Sequence, residues 1–260
     1  MRSWVKWRRA ATPWWTVQPP FAFSLLEAAY KARRGEPGIE RERQRLREDR
    51  SSFLESVDHG AGSNFFGERK SVGAIARTSL KRKRYAAAVA AWAEVIGAKR
   101  VLELGTCLGI TTAYLANRPG VEVVTLEGNA DRLQVAEEVW RRLGLDGRIC
   151  GVEGKFSESL PDVLSEGVLF DLIFIDGHHE GEALKGYLRQ LLPHLAEGGL
   201  VVCDDIHWSP DMEMAWEEIV ASDEWTLVMD TFEMGVLSRR KGLTPSRFSV
   251  RLSGVPRPVL

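Results

Sequence analysis

Short runs rich in apolar and β-branched residues recur along the chain after residue 100, and this alternation constrains the fold more than any other feature of the sequence. The runs stand at residues 100–104, 121–127, 148–153, 170–176, 200–204, 225–230 and 234–239. The first five are separated by segments with helical period, which is typical of right-handed βαβ units in a mostly parallel sheet. Only three residues separate the last two runs, so they predict an antiparallel hairpin at the end of the sheet. The sequence therefore predicts an α/β fold with a seven-stranded, mostly parallel sheet.

The first 98 residues have a different pattern. Their apolar residues recur with helical period, and an Arg/Glu-rich stretch is expected to be an exposed helix. The expected helices cover residues 21–33, 39–53, 71–79 and 83–96. These stretches predict an N-terminal helical extension over residues 1–98, followed by the sheet domain over residues 99–260.

The composition is that of an ordinary globular protein. Of the 260 residues, 44% are hydrophobic and 27% are charged, which excludes wholesale disorder. No uninterrupted apolar run approaches the ~20 residues of a membrane span, and the basic N-terminus lacks the continuous apolar core of a signal peptide. Three cysteines, Cys107, Cys150 and Cys203, are an odd number, which favours a reduced compartment over a disulfide framework. We expect a cytoplasmic protein without a transmembrane segment.

Charge is divided unevenly along the chain. Residues 1–99 hold 20 Lys and Arg against 10 Asp and Glu, a balance of +10, whereas residues 100–260 hold 15 against 26, a balance of −11. A basic arm of this kind can meet an anionic partner such as RNA, or it can pack against the acidic half of the same chain. The basic run 81–84 stands at the start of a predicted helix, where positive charge is unfavourable. We favour the explanation in which this run faces an acidic surface of the same chain.

The segment VLELGTCLGITTAYL, residues 101–115, predicts a strand, a glycine turn and a helix. Glycines from Gly105 to Gly109 let a ligand approach the backbone, and the unpaired N–H groups of the helix start are donors. Ligands of open α/β sheets bind at this edge, beyond the carboxyl ends of the strands. A dinucleotide fingerprint would need glycines where Cys107 and Ile110 stand, and the Gly-Lys-Ser/Thr end of a P-loop is absent.

The pattern E-x-G-x-x-x-G formed by Glu103, Gly105 and Gly109 resembles the first motif of class I S-adenosylmethionine-dependent methyltransferases. The segment FDLIFIDGHH resembles the fourth-strand motif of that family, and LLPHLAEGGLVVCDDIHW resembles its next helix, glycine turn and fifth strand. Together these motifs cover roughly residues 98–240. The resemblance implies a Rossmann-like fold, S-adenosyl-L-methionine as the cofactor and methyl transfer as the activity.

The resemblance also implies a cofactor site. A carboxylate at the strand end suits a ligand with a positively charged amino group, whereas it would repel phosphates. Glu127 follows Gly105 by 22 residues, at the end of the second strand, where an acid accepts both ribose hydroxyls. Such an acid alone does not separate a methyl donor from NAD. Carried over residue by residue, the site consists of Glu103, Gly105, Thr106, Gly109, Glu127, Gly154 and Asp176.

One departure from the family lies after Gly154. The family usually has a small or acidic residue there to contact the adenine, whereas Lys155 and Phe156 follow in this chain. The resemblance therefore does not determine which residues contact the adenine. Stacking of the adenine on Phe156 is one alternative to the usual hydrogen bond.

Within the family, ELGTCLGITT and FIDGHH are similar to catechol-type and sugar O-methyltransferases. The resemblance implies Mg²⁺ held by Asp176, Asp204 and Asp205, with the ion clamping a substrate hydroxyl and lowering its pKa. It implies His179, three residues after Asp176, as the base, so that His179 and Asp176 are the expected catalytic residues.

Alternatives stay open for these acids and histidines. Catechol-type enzymes usually have Asp-Asn where this chain has Asp204-Asp205. The histidines His178, His179 and His207 could bind a softer metal together with the aspartates. Acids at strand ends can also cap a helix or orient the cofactor.

A wider similarity, to a group of bacterial class I methyltransferases, spans nearly the whole chain and includes the loop of residues 58–70. It implies that residues 1–98 belong to the enzyme and close over its site as a lid. The tryptophan-rich N-terminus is expected to pack on its own domain or on a second subunit, so a homodimer stays open.

Three functions compete on the sequence. The first is an O-methyltransferase acting on a small hydroxylated molecule. The second is an RNA methyltransferase that uses the basic stretches 31–50 and 68–84, although the Asn/Asp-Pro-Pro-aromatic motif of amino-group methylation is absent. The third is a non-catalytic cofactor-binding protein, because fold alone does not prove catalysis. The residues favour the first, with a small-molecule acceptor.

Overall fold

The computed structural model describes residues 2–54 and 69–253. The loop expected over residues 58–70 therefore lies almost wholly outside the described residues. The strands are β1 (Thr12–Pro13), β2 (Ser52–Leu54), β3 (Arg69–Ser71), β4 (Arg100–Leu104), β5 (Glu122–Glu127), β6 (Ile149–Glu153), β7 (Phe170–Ile175), β8 (Leu195–Asp204), β9 (Leu227–Asp230), β10 (Met234–Ser238) and β11 (Ser246–Arg251). The helices are α1 (Arg2–Ala10), α2 (Pro20–Ala32), α3 (Pro37–Glu48), α4 (Val72–Thr78), α5 (Lys83–Val95), α6 (Ile110–Ala116), α7 (Ala130–Leu143), α8 (Phe156–Ser165), α9 (Gly181–Leu191) and α10 (Pro210–Ala221).

The main sheet has the order β1-β11-β9-β10-β8-β7-β4-β5-β6. Its strands β4 to β8 run parallel to one another, and β10 is antiparallel to both β8 and β9. All the strands predicted from the sequence form, and the predicted hairpin is β9–β10. This confirms the α/β fold with a Rossmann-like, mostly parallel sheet.

The described sheet has nine strands rather than the predicted seven. The additional strands are β11, which pairs in parallel with β9, and β1, which pairs in parallel with β11. Without them β9 would expose a row of unpaired backbone groups at the sheet edge. Both additional strands carry polar residues or proline, so their composition did not predict them.

Helices cover both faces of the sheet, and the side chains of β7 pack against the helices on each face. Side chains alternate between the faces of a strand. Leu172 and Phe174 pack in one apolar cluster, together with helices α2 and α5, whereas Ile173 and Ile175 pack in a second cluster with α9 and α10. Since both faces are buried, the strand is apolar throughout.

The described part of residues 1–98 packs directly on this sheet. The indole nitrogen of Trp92 in α5 donates to the carbonyl oxygen of Leu25 in α2, at 3.0 Å. Helices α3 and α4 share a third apolar cluster with α6 and α7. Near the N-terminus, Trp7 donates to the carbonyl oxygen of Asp230, at 3.3 Å. The tryptophan-rich segment therefore contacts its own sheet, while the division into residues 1–98 and 99–260 and the closing of a lid stay predictions.

Helix α3 ends at Glu48, earlier than the predicted residue 53. Asp49 takes an extended conformation, and its carboxylate accepts the backbone N–H of Ser51 at 2.8 Å. Aspartate favours such turns because its side chain competes with the helix for backbone hydrogen bonds. The following residues form β2, which pairs with β3 as a separate antiparallel ribbon.

Among the described residues, no helix is both long enough and apolar enough to cross a membrane. The carboxyl ends of β4, β5, β7 and β8 meet at one edge of the sheet. The residues that the sequence singles out lie along this edge.

Candidate active site

The glycine loop joins β4 to α6 and is held in place by close backbone packing. Gly105 has a φ of 105°, and a Cβ at this position would collide with the backbone carbonyl oxygen of Asp176. Gly109 has a φ of 73°, and its Cβ would lie 2.5 Å from the indole nitrogen of Trp140 in α7. That nitrogen donates to the Gly109 carbonyl oxygen at 3.0 Å. Both positions require glycine for the backbone angle and for the space.

Glu127, at the end of β5, faces the same loop. Its Oε2 accepts the backbone N–H of Cys107 at 2.7 Å, and its Oε1 accepts the backbone N–H of Asn129 at 3.1 Å. The residue is 7% exposed. A carboxylate oxygen accepts more than one hydrogen bond, so these contacts are compatible with the predicted role in binding two ribose hydroxyls.

Glu103 lies beneath the loop and is fully buried. Its Oε2 accepts hydrogen bonds from the hydroxyls of Thr112 and Thr125, whereas its Oε1 has no hydrogen-bond partner among the described residues. Burial raises the pKa of Glu103 to about 8. Thr106 is also buried, and its hydroxyl lies 2.6 Å from that of Thr125. A donor group of a bound ligand would satisfy this buried oxygen, so Glu103 fits the cofactor site predicted from the sequence.

Gly154 and Phe156 follow β6 on the far side of Glu127. Gly154 has a φ of 139°, and its N–H donates to the Glu127 carbonyl oxygen at 2.9 Å. Phe156 begins α8, and its ring packs on Gly177, where a Cβ would be 2.9 Å away, and on Tyr187 in an edge contact with centroids 5.7 Å apart. Phe156 therefore covers the residue after Asp176, and adenine stacking on it stays a prediction.

Two acids and a lysine meet at the ends of β7 and β8. Asp176 follows β7 directly and Asp204 ends β8, so the parallel pairing of these strands brings the two carboxylates together. The ammonium group of Lys81 lies 3.5 Å from Oδ1 of Asp176 and contacts Oδ2 of Asp204 directly. The Lys81 side chain is 10% exposed and the Asp204 side chain is not exposed at all. The sequence placed Lys81 in a basic run expected to face acids of the same chain and near the loop expected to form a lid, and did not pair it with Asp176 or Asp204.

The third predicted metal ligand, Asp205, is paired with a histidine. Asp205 has a φ of 52°, and its Oδ2 lies 3.8 Å from Nε2 of His179. Within residues 2–54 and 69–253, no group of three or more His, Cys, Asp or Glu side chains is arranged to hold a metal ion. With Lys81 between the other two acids, this donor set does not fit Mg²⁺, which needs several converging oxygens and is repelled by an ammonium group. The assignment of Asp176, Asp204 and Asp205 as ligands stays a prediction.

The three histidines considered for a softer metal have separate partners. His178 Nδ1 lies 2.8 Å from the Tyr187 hydroxyl. His207 Nε2 lies 3.0 Å from Oδ2 of Asp230, and its ring stacks on Phe232 with centroids 5.1 Å apart. Each of these histidines also has an acidic partner, and the partner of His179 is Asp205, the residue after β8.

Burial raises the pKa of Asp176, and the Coulombic attraction of Lys81 and His179 opposes that rise. Two neighbouring carboxylates disfavour each other's charged form, and a cation between them reduces this repulsion. One part of this sheet edge therefore carries the glycine loop and Glu127. Another part carries Asp176 and Asp204 with the ammonium group of Lys81, and the His179–Asp205 pair lies nearby.

Known proteins are similar to this chain in sequence and in fold. Residues 102–206 match the sequence profile of a family described as "Methyltransferase domain". An O-methyltransferase of Aspergillus hancockii is 32% identical over 130 residues, which are 47% of this chain and 50% of that protein. A catechol O-methyltransferase of Mycobacterium tuberculosis is 34% identical over 116 residues, which are 44% of this chain and 51% of that protein. The chain thus spans about half the length of the relatives it matches.

Solved structures share the fold. An O-methyltransferase from Streptomyces achromogenes, in complex with S-adenosylmethionine, aligns with a TM-score of 0.54 at 20% identity, covering 61% of this chain and 81% of its own. A Podospora anserina methyltransferase bound to S-adenosylhomocysteine aligns with a TM-score of 0.53 at 16% identity, covering 91% of this chain and 93% of its own. The resemblance predicted from the sequence motifs is confirmed.

Proposed function

We propose that this chain, whose residues 102–206 match a methyltransferase domain family, transfers a methyl group from S-adenosyl-L-methionine to a hydroxyl oxygen of a small molecule. The observation that carries the proposal is the glycine loop, which has Gly105 and Gly109 but lacks the glycine spacing of a dinucleotide site. The Glu127 carboxylate is held against this loop by the backbone N–H groups of Cys107 and Asn129. A carboxylate in this place suits the ribose hydroxyls of the cofactor, and the loop lacks the Gly-Lys-Ser/Thr end with which a P-loop binds phosphates.

The acceptor side of the proposal rests on His179 and Asp205. The imidazole of His179 takes the proton of the acceptor hydroxyl, and the Asp205 carboxylate, 3.8 Å from Nε2, stabilises the imidazolium that forms. A lone pair of the acceptor oxygen then forms the bond to the methyl carbon. The carbon–sulfur bond breaks with its electron pair left on sulfur, which releases S-adenosylhomocysteine, and His179 returns its proton to water.

The relatives named catechol O-methyltransferase support a small hydroxylated aromatic as the first acceptor class to test. No step is assigned to a divalent ion, because Asp176 and Asp204 face Lys81. The RNA alternative has less support, since Lys81 and also Arg82, which lies 3.5 Å from Oε1 of Glu233, have acidic partners in the same chain.

The test is donor binding followed by an acceptor screen. Calorimetry should show binding of S-adenosylmethionine and S-adenosylhomocysteine and no binding of NAD. A panel of catechols, phenols and sugars, analysed by mass spectrometry, should then contain a compound that gains one methyl group. A chain that binds NAD in preference to the methyl donor would contradict the proposal.

A further inference from the structure

The ammonium group of Lys81 stands between two acids that arrive from different strands. It contacts Oδ2 of Asp204 and lies 3.5 Å from Oδ1 of Asp176. The resemblance to catechol-type enzymes implies a divalent cation between the acids of these two strand ends. In this chain a side-chain cation lies there.

The backbone of Lys81 is anchored independently of its ammonium group. Its carbonyl oxygen accepts a hydrogen bond from Nη1 of Arg43, at 2.8 Å. Arg43 is buried, and its Nε donates to both carboxylate oxygens of Glu40, at 3.0 and 3.1 Å. Glu40 in turn accepts the hydroxyl of Tyr114 in α6, at 2.9 Å. Lys81 is therefore fixed relative to the helix that follows the glycine loop.

The carboxylates of Asp176 and Asp204 need a cation to compensate their charge. Asp204 is buried, and its Oδ1 has no hydrogen-bond partner among the described residues. Removing one partner of a buried ion pair leaves an uncompensated charge, which is strongly unfavourable. The Lys81 ammonium forms ion pairs with both acids and carries three N–H donors, so it can also donate a hydrogen bond to an oxygen that binds beside it.

We infer that Lys81 is the resident cation of the Asp176–Asp204 pair and takes the place of the divalent metal ion. The inference deepens the proposed O-methyltransferase function and rests on it. When the acceptor hydroxyl gives its proton to His179, the Lys81 ammonium donates a hydrogen bond to the resulting oxyanion. The oxyanion then forms its bond to the methyl carbon as the carbon–sulfur bond breaks. The ammonium keeps its own protons throughout.

The direct test is binding of Mn²⁺, followed by its electron paramagnetic resonance signal, which requires no acceptor. The wild-type chain should bind no Mn²⁺ at the acid pair. Lys81→Ala opens the space and leaves both acids uncompensated, so it should bind Mn²⁺, and the further change Asp204→Asn should abolish that binding. Lys81→Met, which fills the space with a neutral side chain, should not bind the ion. Lys83→Met removes the same charge from an exposed position two residues away and should behave as wild type.

Turnover supplies a second readout, with catechol as the probe acceptor. Wild-type methyl transfer should continue in excess chelator. Lys81→Met should lower kcat about 100-fold, as expected for loss of one donor to a developing oxyanion, while the affinity for S-adenosylhomocysteine stays unchanged. Added Mn²⁺ should restore turnover to Lys81→Ala and not to Lys81→Met.

Two results would overturn the inference. One is Mn²⁺ binding by the wild-type chain that Asp204→Asn abolishes. The other is wild-type turnover that chelator removes and Mg²⁺ restores. Absence of donor binding would instead contradict the proposed function, and the Mn²⁺ titrations would still decide whether Lys81 is the resident cation.

Discussion

The Glu127 carboxylate accepts the backbone N–H of Cys107 at 2.7 Å, so the acid at the end of β5 is held directly against the glycine loop that follows β4. Cys107 has a φ of 52°, a left-handed conformation that is uncommon outside glycine. The hydrogen bond and the strained residue together fix the loop beside the predicted ribose site.

We expect Glu127→Ala to weaken S-adenosylhomocysteine binding by about 1.5–3 kcal/mol, because it removes a charged acceptor of two hydroxyls. Calorimetry measures the affinity. Glu122→Ala is the matched control, since it removes an exposed carboxylate from the start of the same strand. Equal affinity in the wild type and Glu127→Ala would contradict the ribose role.

We expect Gly109→Ala to destabilise the fold more than Gly120→Ala. The two glycines have nearly the same φ, 73° and 79°, so an alanine meets similar backbone strain at both. At Gly109 the new methyl group also collides with Trp140, whereas nothing lies within 4 Å of it at Gly120. Gly109→Ala should lose about 1–3 kcal/mol more of its free energy of unfolding than Gly120→Ala, as expected for an overpacked site. Urea unfolding of both variants measures this difference. Equal losses in the two variants would show that the loop relaxes around the added methyl group.

Stability should depend on pH through Glu103. Burial raises its pKa from the model-compound value of 4.5 to about 8, so between these values the folded chain binds a proton that the unfolded chain has lost. The contribution of Glu103 to stability is therefore fully present below pH 4.5 and is lost as the pH rises to about 8. Glu103→Gln stays neutral, so its stability relative to wild type should increase over this window in chemical unfolding experiments. A difference between the two proteins that does not change with pH would exclude the raised pKa.

We expect His179→Asn to lower kcat for the methylated acceptor by roughly 10²–10⁴-fold, because it removes the proposed general base. Donor affinity should be unchanged, because this variant leaves the glycine loop and Glu127 intact. His178→Asn is the neighbouring control, since the partners of His178 are Tyr187 and Glu180. A kcat that His179→Asn leaves unchanged would assign the proton transfer to another group.

The basic run 81–84 should not make the chain an RNA-binding protein. Lys81 and Arg82 contact acids of the same chain, so less positive charge is available to phosphates. We expect weak binding of labelled single-stranded RNA in fluorescence anisotropy, with little change when Arg82, Lys83 and Arg84 are replaced by alanine. A tight complex that weakens steeply with salt and is lost in the triple variant would restore the RNA hypothesis.

Much of the fold was predictable because its signals are local. The β-branched runs specified the strands β4 to β10 to within a few residues at most boundaries, and the three-residue gap before Met234 specified the hairpin. The edge strands β1 and β11 were not predictable in this way, because their pairing depends on where the chain passes the exposed side of β9 and not on an apolar run of their own.

The candidate site was likewise predictable only in part. The sequence by itself determined the glycine loop, the strand-end acids and Glu127, since each follows a strand whose position periodicity predicts. Only the tertiary structure decided that Lys81 lies between Asp176 and Asp204, and that Asp205 turns to His179. An ion pair between residues far apart in sequence depends on how α5 lies against the sheet, which apolar packing of many helices determines together and no local pattern encodes.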